Sequence, residues 1–259
     1  MKLEYIILFI FGITCCVFSI KRFLEHKNYS QYKCVVQEKA PFLNNYYSQD
    51  GEDVLLFSLY EEKPEYKGFY VDIGAHHPFR VSNTQLFYEK GWRGINIDAT
   101  PGSMIEFERQ RPEDINIEIG IADKKGTMCY YIFEEPGYNS FDEKLSLERL
   151  DLGHKTGNPG LRLKNKTRVR TDTLNNILSK NLPSGQKIDF ISIDIEGFEE
   201  NVLRNFDFGT YAPSYFVVEE LDCVGKDFRN LNTSVSKILT KEGYVPLLKA
   251  NRSVIYGKK

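Results

Sequence analysis

The residues best suited to chemistry are carboxylates at the ends of apolar runs. SIDIEGFEE (192–200) sets Asp194 and Glu196 two positions apart, where the most hydrophobic run of the chain, IDFISIDI (188–195), stops. In an extended chain, residues i and i+2 point the same way. Two carboxylates meeting at a strand end are costly unless a proton, a cation or a substrate lies between them. The pair reads as a base or a substrate-orienting couple; the competing reading is Glu196 as a helix cap and Asp194 in solvent. VVEEL adds Glu219 and Glu220 at the end of the next run, and one of them should reach the same cleft. VDIGAHHP (71–78) puts Asp72 near the end of another run, with Gly74 in the turn behind it. Glycine there lets the backbone approach a ligand closely. Asp98 ends the run GINIDA (94–99), 26 positions after Asp72. An acid about 20 positions beyond a glycine turn is placed to accept both hydroxyls of a ribose. The alternative for Asp98 is a cap on a helix beginning near Pro101.

The turn is neither G-x-G-x-x-G nor G-x-x-x-x-G-K-[ST], so the pyrophosphate cradle of a nicotinamide dinucleotide and the P-loop are both missing. Turn and acid together indicate a nucleoside ligand without a pyrophosphate, and S-adenosylmethionine fits that description. His76 and His77 add two imidazoles with an ordinary pKa of ~6.5. Neighbours on a strand point apart, so at most one of them is expected to act. There is no HExxH or comparable metal spacing and no metal is expected, although paired carboxylates at 194 and 196 would suit Mg²⁺.

These residues need a sheet to hold them. Buried strands are expected over 68–74, 94–99, 115–122, 128–133, 188–195 and 215–221. Helices are expected over 82–90, 103–111, 171–180, 198–206 and 233–244, the third capped by Thr171 or Asp172. Residues 244–258 alternate around Asn251 as a closing hairpin. Alternating strands and helices predict an α/β sandwich on a mainly parallel sheet, with a C-terminal antiparallel hairpin. The segment 134–170 lacks periodicity and reads as a functional loop or lid. Its basic residues Lys155, Arg162, Lys164, Lys166, Arg168 and Arg170 would favour an anionic acceptor if they lay beside the site.

The 259 residues are 41% hydrophobic and 27% charged, with a net charge of −2. That excludes a mostly disordered chain and gives no global attraction to nucleic acid. Five cysteines without a CxxC pair are neither a disulfide framework nor a zinc site. Residues Tyr5 to Ile20 carry no charge. With Lys21 and Arg22 behind them, they are expected to form a membrane anchor over 1–24. A linker over 25–45 and a catalytic domain over 46–259 would follow. The excess of Lys and Arg after the apolar run predicts a single-pass membrane protein with the domain on the cytoplasmic side.

Seven segments, in order, resemble the FkbM-family methyltransferases: SQDGEDVLL (48–56), FYVDIGAHHPFRVSNT (69–84), GWRGINIDATP (91–101), IGIADKKGT (119–127), VRTDTLNNIL (169–178), IDFISIDIEGFEENVL (188–203) and FVVEE (216–220). The family's commonest turn reads VDxGANxG. Here His76, His77 and Pro78 depart from it, at the end that would hold methionine. The resemblance implies a class I Rossmann-like fold and S-adenosylmethionine as methyl donor. It implies that Asp72, Gly74 and Ala75 line the methionine end, that Asp98 holds the ribose and that Asp123 lies near adenine. Ser82, Asn83 and Thr84 would line the cofactor pocket, and Asp194 and Glu196 would face the acceptor hydroxyl. Gln49 and Glu52 or Asp53 would belong to the first motif without an assigned role. The expected reaction is O-methylation of a glycan or glycolipid-type acceptor, with Asp194, Glu196, His76 and His77 as candidate bases. The alternative is a membrane-tethered module that binds a nucleoside cofactor without turnover.

Overall fold

The computed structural model describes residues 46–63, 65–227 and 231–259. The strands are β1 (Phe69–Ile73), β2 (Arg93–Asp98), β3 (Ile115–Glu118), β4 (Gly120–Ile121), β5 (Gly126–Phe133), β6 (Leu163–Asp172), β7 (Phe190–Ile193), β8 (Tyr215–Glu219), β9 (Tyr244–Lys249) and β10 (Ser253–Lys258). The helices are α1 (Glu52–Ser58), α2 (Gln85–Glu89), α3 (Met104–Gln110), α4 (Glu143–Thr156), α5 (Leu174–Asn181), α6 (Glu199–Arg204) and α7 (Ser234–Lys241). Seven strands form one sheet in the order β3-β2-β1-β7-β8-β10-β9. β10 pairs antiparallel with both β8 and β9 and alone runs against the rest. This is the class I methyltransferase arrangement, a mainly parallel sheet closed by an antiparallel hairpin.

The alternation of β1 sorts the two layers. Phe69, Val71 and Ile73 face one side, where Leu174, Ile177 and Leu178 of α5, Val202 and Leu203 of α6, and Val235 and Leu239 of α7 close over them. Tyr70 faces the other side, against Leu56 of α1, Phe87 of α2, Trp92 and Phe190. Each large apolar side chain buried this way contributes about 1.5–3 kcal/mol. Both faces are covered, so the central strands read as unbroken apolar runs.

A second sheet, β4-β6-β5, grows out of the segment expected to be an aperiodic loop. Residues 134–170 instead hold a short 3-10 turn at Pro136–Tyr138, the four-turn α4 and most of β6. α4 buries only Ser146, Arg149 and Gly153, so it has no apolar stripe to announce it. β6 alternates cations with small residues rather than apolar with polar. The expected strand 115–122 breaks at Ile119 into β3 and β4, which join different sheets. The cap of α5 is Thr173, whose hydroxyl accepts from the Asn176 amide at 3.2 Å, rather than Thr171 or Asp172.

The expected membrane anchor over 1–24 and linker over 25–45 lie outside the described residues. Among the described residues no helix is long and apolar enough to cross a membrane. The single-pass placement with a cytoplasmic catalytic domain is therefore withdrawn.

Candidate functional site

A cavity of about 320 Å³ opens at the carboxyl ends of β1, β2, β7 and β8, where ligands bind in open α/β sheets. Its rim begins with the turn after β1. Gly74 has φ +83°, and a Cβ there would stand 1.7 Å from the carbonyl oxygen of Asp194. Only glycine lets the chain pass so close to the end of β7. Among the described residues three non-glycine positions have left-handed φ: His76 (55°), Val81 (54°) and Glu196 (54°). All three line the cavity. Such conformations persist only where surrounding contacts impose them, and they concentrate at functional sites.

Asp98 closes β2 and is buried. One carboxylate oxygen accepts from the His76 amide at 2.9 Å, and the other from the Thr100 amide at 2.7 Å. A carboxylate has about four acceptor positions, so each oxygen keeps one for a ligand hydroxyl. Ile97, Ile119 and Ile121 add an aliphatic wall beside it. The segment after β5 forms the opposite wall, with Glu135, Tyr138 and Asn139 among its lining residues. Asn139 donates to the Thr100 hydroxyl at 3.1 Å, and Arg80 pairs with Glu135 across the opening.

The far end is acidic. Carboxylate oxygens of Asp194, Glu196 and Glu219 lie within 4.8 Å of one another, the one group among the described residues close enough to hold a metal ion. Burial pushes all three above the ordinary carboxylate range, Glu219 to about 8. Glu196 is ion-paired with Arg149 of α4, whose guanidinium also donates to the Tyr138 carbonyl at 2.8 Å. The Ser140 hydroxyl donates to the Glu196 carbonyl at 2.8 Å. Glu196 is not the cap of α6. The N-cap is Phe198, which has no side-chain cap, and Glu199, the first residue of the helix, accepts from the Ile195 amide at 3.0 Å and from the Gly197 amide of the preceding turn; burial raises Glu199 to about 7.

The cavity thus gathers Gly74, His76, Asp98, Asp194 and Glu196. Asp72, Ala75, Ser82, Asn83, Thr84 and Asp123 stand outside its lining. Asp72 shares the Tyr70 side of β1 and accepts from the Thr84 hydroxyl at 2.8 Å; burial lifts it to about 6. Arg111, fully buried, donates to Thr84, Ser82, Gln85 and the Pro78 carbonyl. Asn83 donates to Ser192 at 3.0 Å. These residues make a polar support behind the glycine turn. Asp123 is exposed in the turn before β5. The His76 ring accepts from Arg80 at 3.0 Å, since a guanidinium can only donate. Burial holds His76 below the ordinary histidine value. His77 caps its own turn, accepting from the Phe79 and Arg80 amides at 3.1 Å.

Sequence reasoning did not find Tyr130, Asn139, Arg149 or Arg252. Arg252, in the β9–β10 turn, lines the cavity and is held by Asp50 of the first motif at 2.9 and 3.1 Å. Glu219 was foreseen only as one of two candidates. The basic residues of β6 take the other side. Tyr130, opposite Thr167 in the register, lines the cavity, and Val169 packs with it. Alternation turns Lys166, Arg168 and Arg170 to the outer, exposed face, where Lys166 bonds the Tyr131 hydroxyl at 2.6 Å.

The methyltransferase FkbM domain model matches residues 72–246. Comparison with curated proteins gives no match. Among solved structures, the chain is similar to a TehB-like SAM-dependent methyltransferase from Corynebacterium glutamicum (12% identity, 91% of this chain and 99% of that one, TM-score 0.39). It is also similar to a methyltransferase FkbM from Methylobacillus flagellatus (11%, 74% and 43%, 0.39). A third is the 1,6-didemethyltoxoflavin-N1-methyltransferase of Burkholderia thailandensis, with bound 1,6-didemethyltoxoflavin and S-adenosylhomocysteine (10%, 82% and 80%, 0.38). The family match runs from the glycine turn to the closing hairpin and covers more than half of the chain, so the chain belongs to the FkbM methyltransferase family and is an S-adenosylmethionine-dependent methyltransferase.

Proposed function

We propose that the enzyme transfers the methyl group to a hydroxyl of an uncharged, glycan-type acceptor. The observation that carries this reading is the polarity of one cavity. Asp98, with a free acceptor position on each oxygen, stands at one end, and three carboxylates stand at the other. Asp98 would take the ribose hydroxyls, Gly74 would admit the methionine end and the isoleucine wall would take adenine. Asp72, Ser82, Asn83 and Thr84 would act from behind, holding the turn, and Ala75 would pack beneath it. Asp123 would reach adenine only from the rim.

Methyl transfer is an in-line displacement at a sulfonium carbon. The thioether leaves neutral and needs no acid, so the protein must align the acceptor and take its proton. Asp194 and Glu196 suit that task better than His76, whose basic nitrogen already accepts from Arg80. Acids at the acceptor end favour hydroxyls over phosphates or carboxylates, and the β6 cations face away. The carboxylate pair could also hold Mg²⁺, but the reaction as written needs none.

The test is incubation with methyl-labelled S-adenosylmethionine and a panel of neutral and acidic glycans, read by mass spectrometry. The expected product is a base-stable methyl ether on a neutral sugar. Labelling confined to amines, or to carboxylates as base-labile esters, overturns the reading.

A further inference from the structure

We propose that Arg80 and Glu135 form the subsite for the amino-acid end of the cofactor, Arg80 taking the α-carboxylate of its methionine part and Glu135 the α-ammonium. The inference rests on the cofactor placement proposed above, with the ribose on Asp98, and goes beyond it.

The glycine turn has no backbone donor to offer a carboxylate. The amides of Gly74 and Ala75 both donate to the Ile97 carbonyl, at 2.9 and 3.1 Å. That of His76 donates to Asp98, and that of His77 to the Ala75 carbonyl at 2.6 Å. Pro78 has no N–H, and the Phe79 and Arg80 amides donate to the His77 ring. Every N–H from Gly74 to Arg80 is therefore used. Charge narrows the choice further. Among the described residues, five carboxylates line the cavity against two guanidiniums, Arg80 and Arg252. Arg252 is held by Asp50 through two hydrogen bonds, with side chains 29% and 17% exposed. Arg80 is the cation that remains.

Arg80 and Glu135 together suit a zwitterion. Both contacts of the Arg80 side chain, with the His76 ring at 3.0 Å and with Glu135, use Nη2. A guanidinium carries five N–H groups, and those on Nε and Nη1 have no partner among the described residues. Both contacts of the Glu135 carboxylate, with Arg80 and with the Gly137 amide at 3.5 Å, use Oε1. Among the described residues Oε2 is a free acceptor. The ion pair thus keeps an open donor edge beside an open acceptor, which is the pattern an α-amino acid complements.

The backbones that carry these side chains are fixed. The Glu135 amide donates to the Gly160 carbonyl at 3.1 Å, and the Glu135 carbonyl accepts from the Tyr138 amide at 3.0 Å. On the other side His77 caps the turn at Arg80, Arg111 holds the Pro78 carbonyl, and Val81 follows with its left-handed φ of 54°. His76, His77 and Pro78 are the residues that depart from the commonest turn of the family. Each of them positions Arg80, the first through its ring, the second through its cap and the third through its carbonyl. The Arg80 and Glu135 side chains are 52% and 40% exposed, and an ion pair so exposed contributes little to stability. It instead holds two charges ready at the opening, which lowers the cost of binding.

The test is calorimetry on the full-length protein with three ligands. They are S-adenosylhomocysteine, its decarboxylated analogue, which keeps the amine, and 5′-methylthioadenosine, which has neither group. Wild type should bind S-adenosylhomocysteine at least about tenfold more tightly than 5′-methylthioadenosine. R80M should weaken S-adenosylhomocysteine by about tenfold or more and leave the decarboxylated analogue within about threefold. E135Q should weaken both ligands that carry the amine. R80K should recover part of the R80M loss, because it restores the charge without the planar fork. Melting temperatures without ligand should match wild type, since the pair is exposed. Equal affinity of wild type for S-adenosylhomocysteine and 5′-methylthioadenosine overturns the subsite. So does an R80M variant that loses the decarboxylated analogue as heavily as S-adenosylhomocysteine, since the loss then comes from the turn and not from a carboxylate. D98A separates this subsite from the cofactor placement beneath it, and it should weaken all three ligands. If it weakens none, the ribose placement fails and the subsite with it. If it weakens all three while R80M weakens none, the subsite alone fails.

Discussion

Gly74 and Asp194 touch backbone to backbone: the space for a Cβ on Gly74 is filled by the Asp194 carbonyl oxygen. The glycine turn after β1 and the end of β7 that carries Asp194 are thus one mechanical unit.

The first expected outcome follows directly. Gly74→Ala combines a φ of +83° with a backbone clash that no side-chain rotation relieves. It should destabilise the protein by at least about 2 kcal/mol, read by urea denaturation, and weaken S-adenosylhomocysteine binding. A variant with unchanged midpoint and affinity contradicts this arrangement.

Asp98→Ala removes the acceptor of two turn amides and, under the proposed ribose assignment, two charge-assisted bonds to the cofactor, each of ~1.5–3 kcal/mol. Affinity for S-adenosylmethionine should fall more than about tenfold by calorimetry. Unchanged binding defeats the ribose assignment.

Arg149→Met leaves Glu196 without its cation in a mostly buried place, where the Arg149 and Glu196 side chains are 10% and 17% exposed. Breaking such a pair costs about 3–5 kcal/mol. Adding Glu196→Gln to Arg149→Met should recover much of that loss, and the cycle of single and double variants in urea measures it.

Stability should fall as pH rises. Burial pushes Asp72, Glu199 and Glu219 up to about 6, 7 and 8, above their unfolded values. Between the ordinary carboxylate range and about pH 8 the native state therefore holds protons that the unfolded chain has released. The stabilisation is complete below the unfolded pKa values and is lost through the native ones. A melting temperature that declines from about pH 5 to about pH 8, with a shallower decline in Glu219→Gln, is expected. A rise across that window contradicts the burial of these acids.

Most of the parallel sheet was legible because β1, β2, β7 and β8 are buried on both faces and read as apolar runs. The stretch 134–170 was not, because α4 buries Ser146, Arg149 and Gly153 in place of leucines, and β6 shows its period in charges. Five predicted site residues meet in the cavity because each sits at or just beyond the end of a strand, a position that sequence marks here with an acid, a glycine or, at His76, the residue two beyond that glycine. Asp72 takes the other side through simple alternation with Ile73. Arg149 and Arg252 had no local signal. They reach the site from helix and hairpin, and their partners are far away in sequence.

One such partnership sets a timetable. Asp50 and Arg252 are 202 positions apart and are joined by two hydrogen bonds at the cavity wall. A ribosome that has delivered every residue up to Glu219 has still not supplied that clasp. The strand β10, which shields β8, is also missing at that stage. Contacts of such separation form late, because a long loop must close before they repay it. The wall that Arg252 gives the cavity and the shielded edge of β8 are therefore completed together, in the last step of building the sheet.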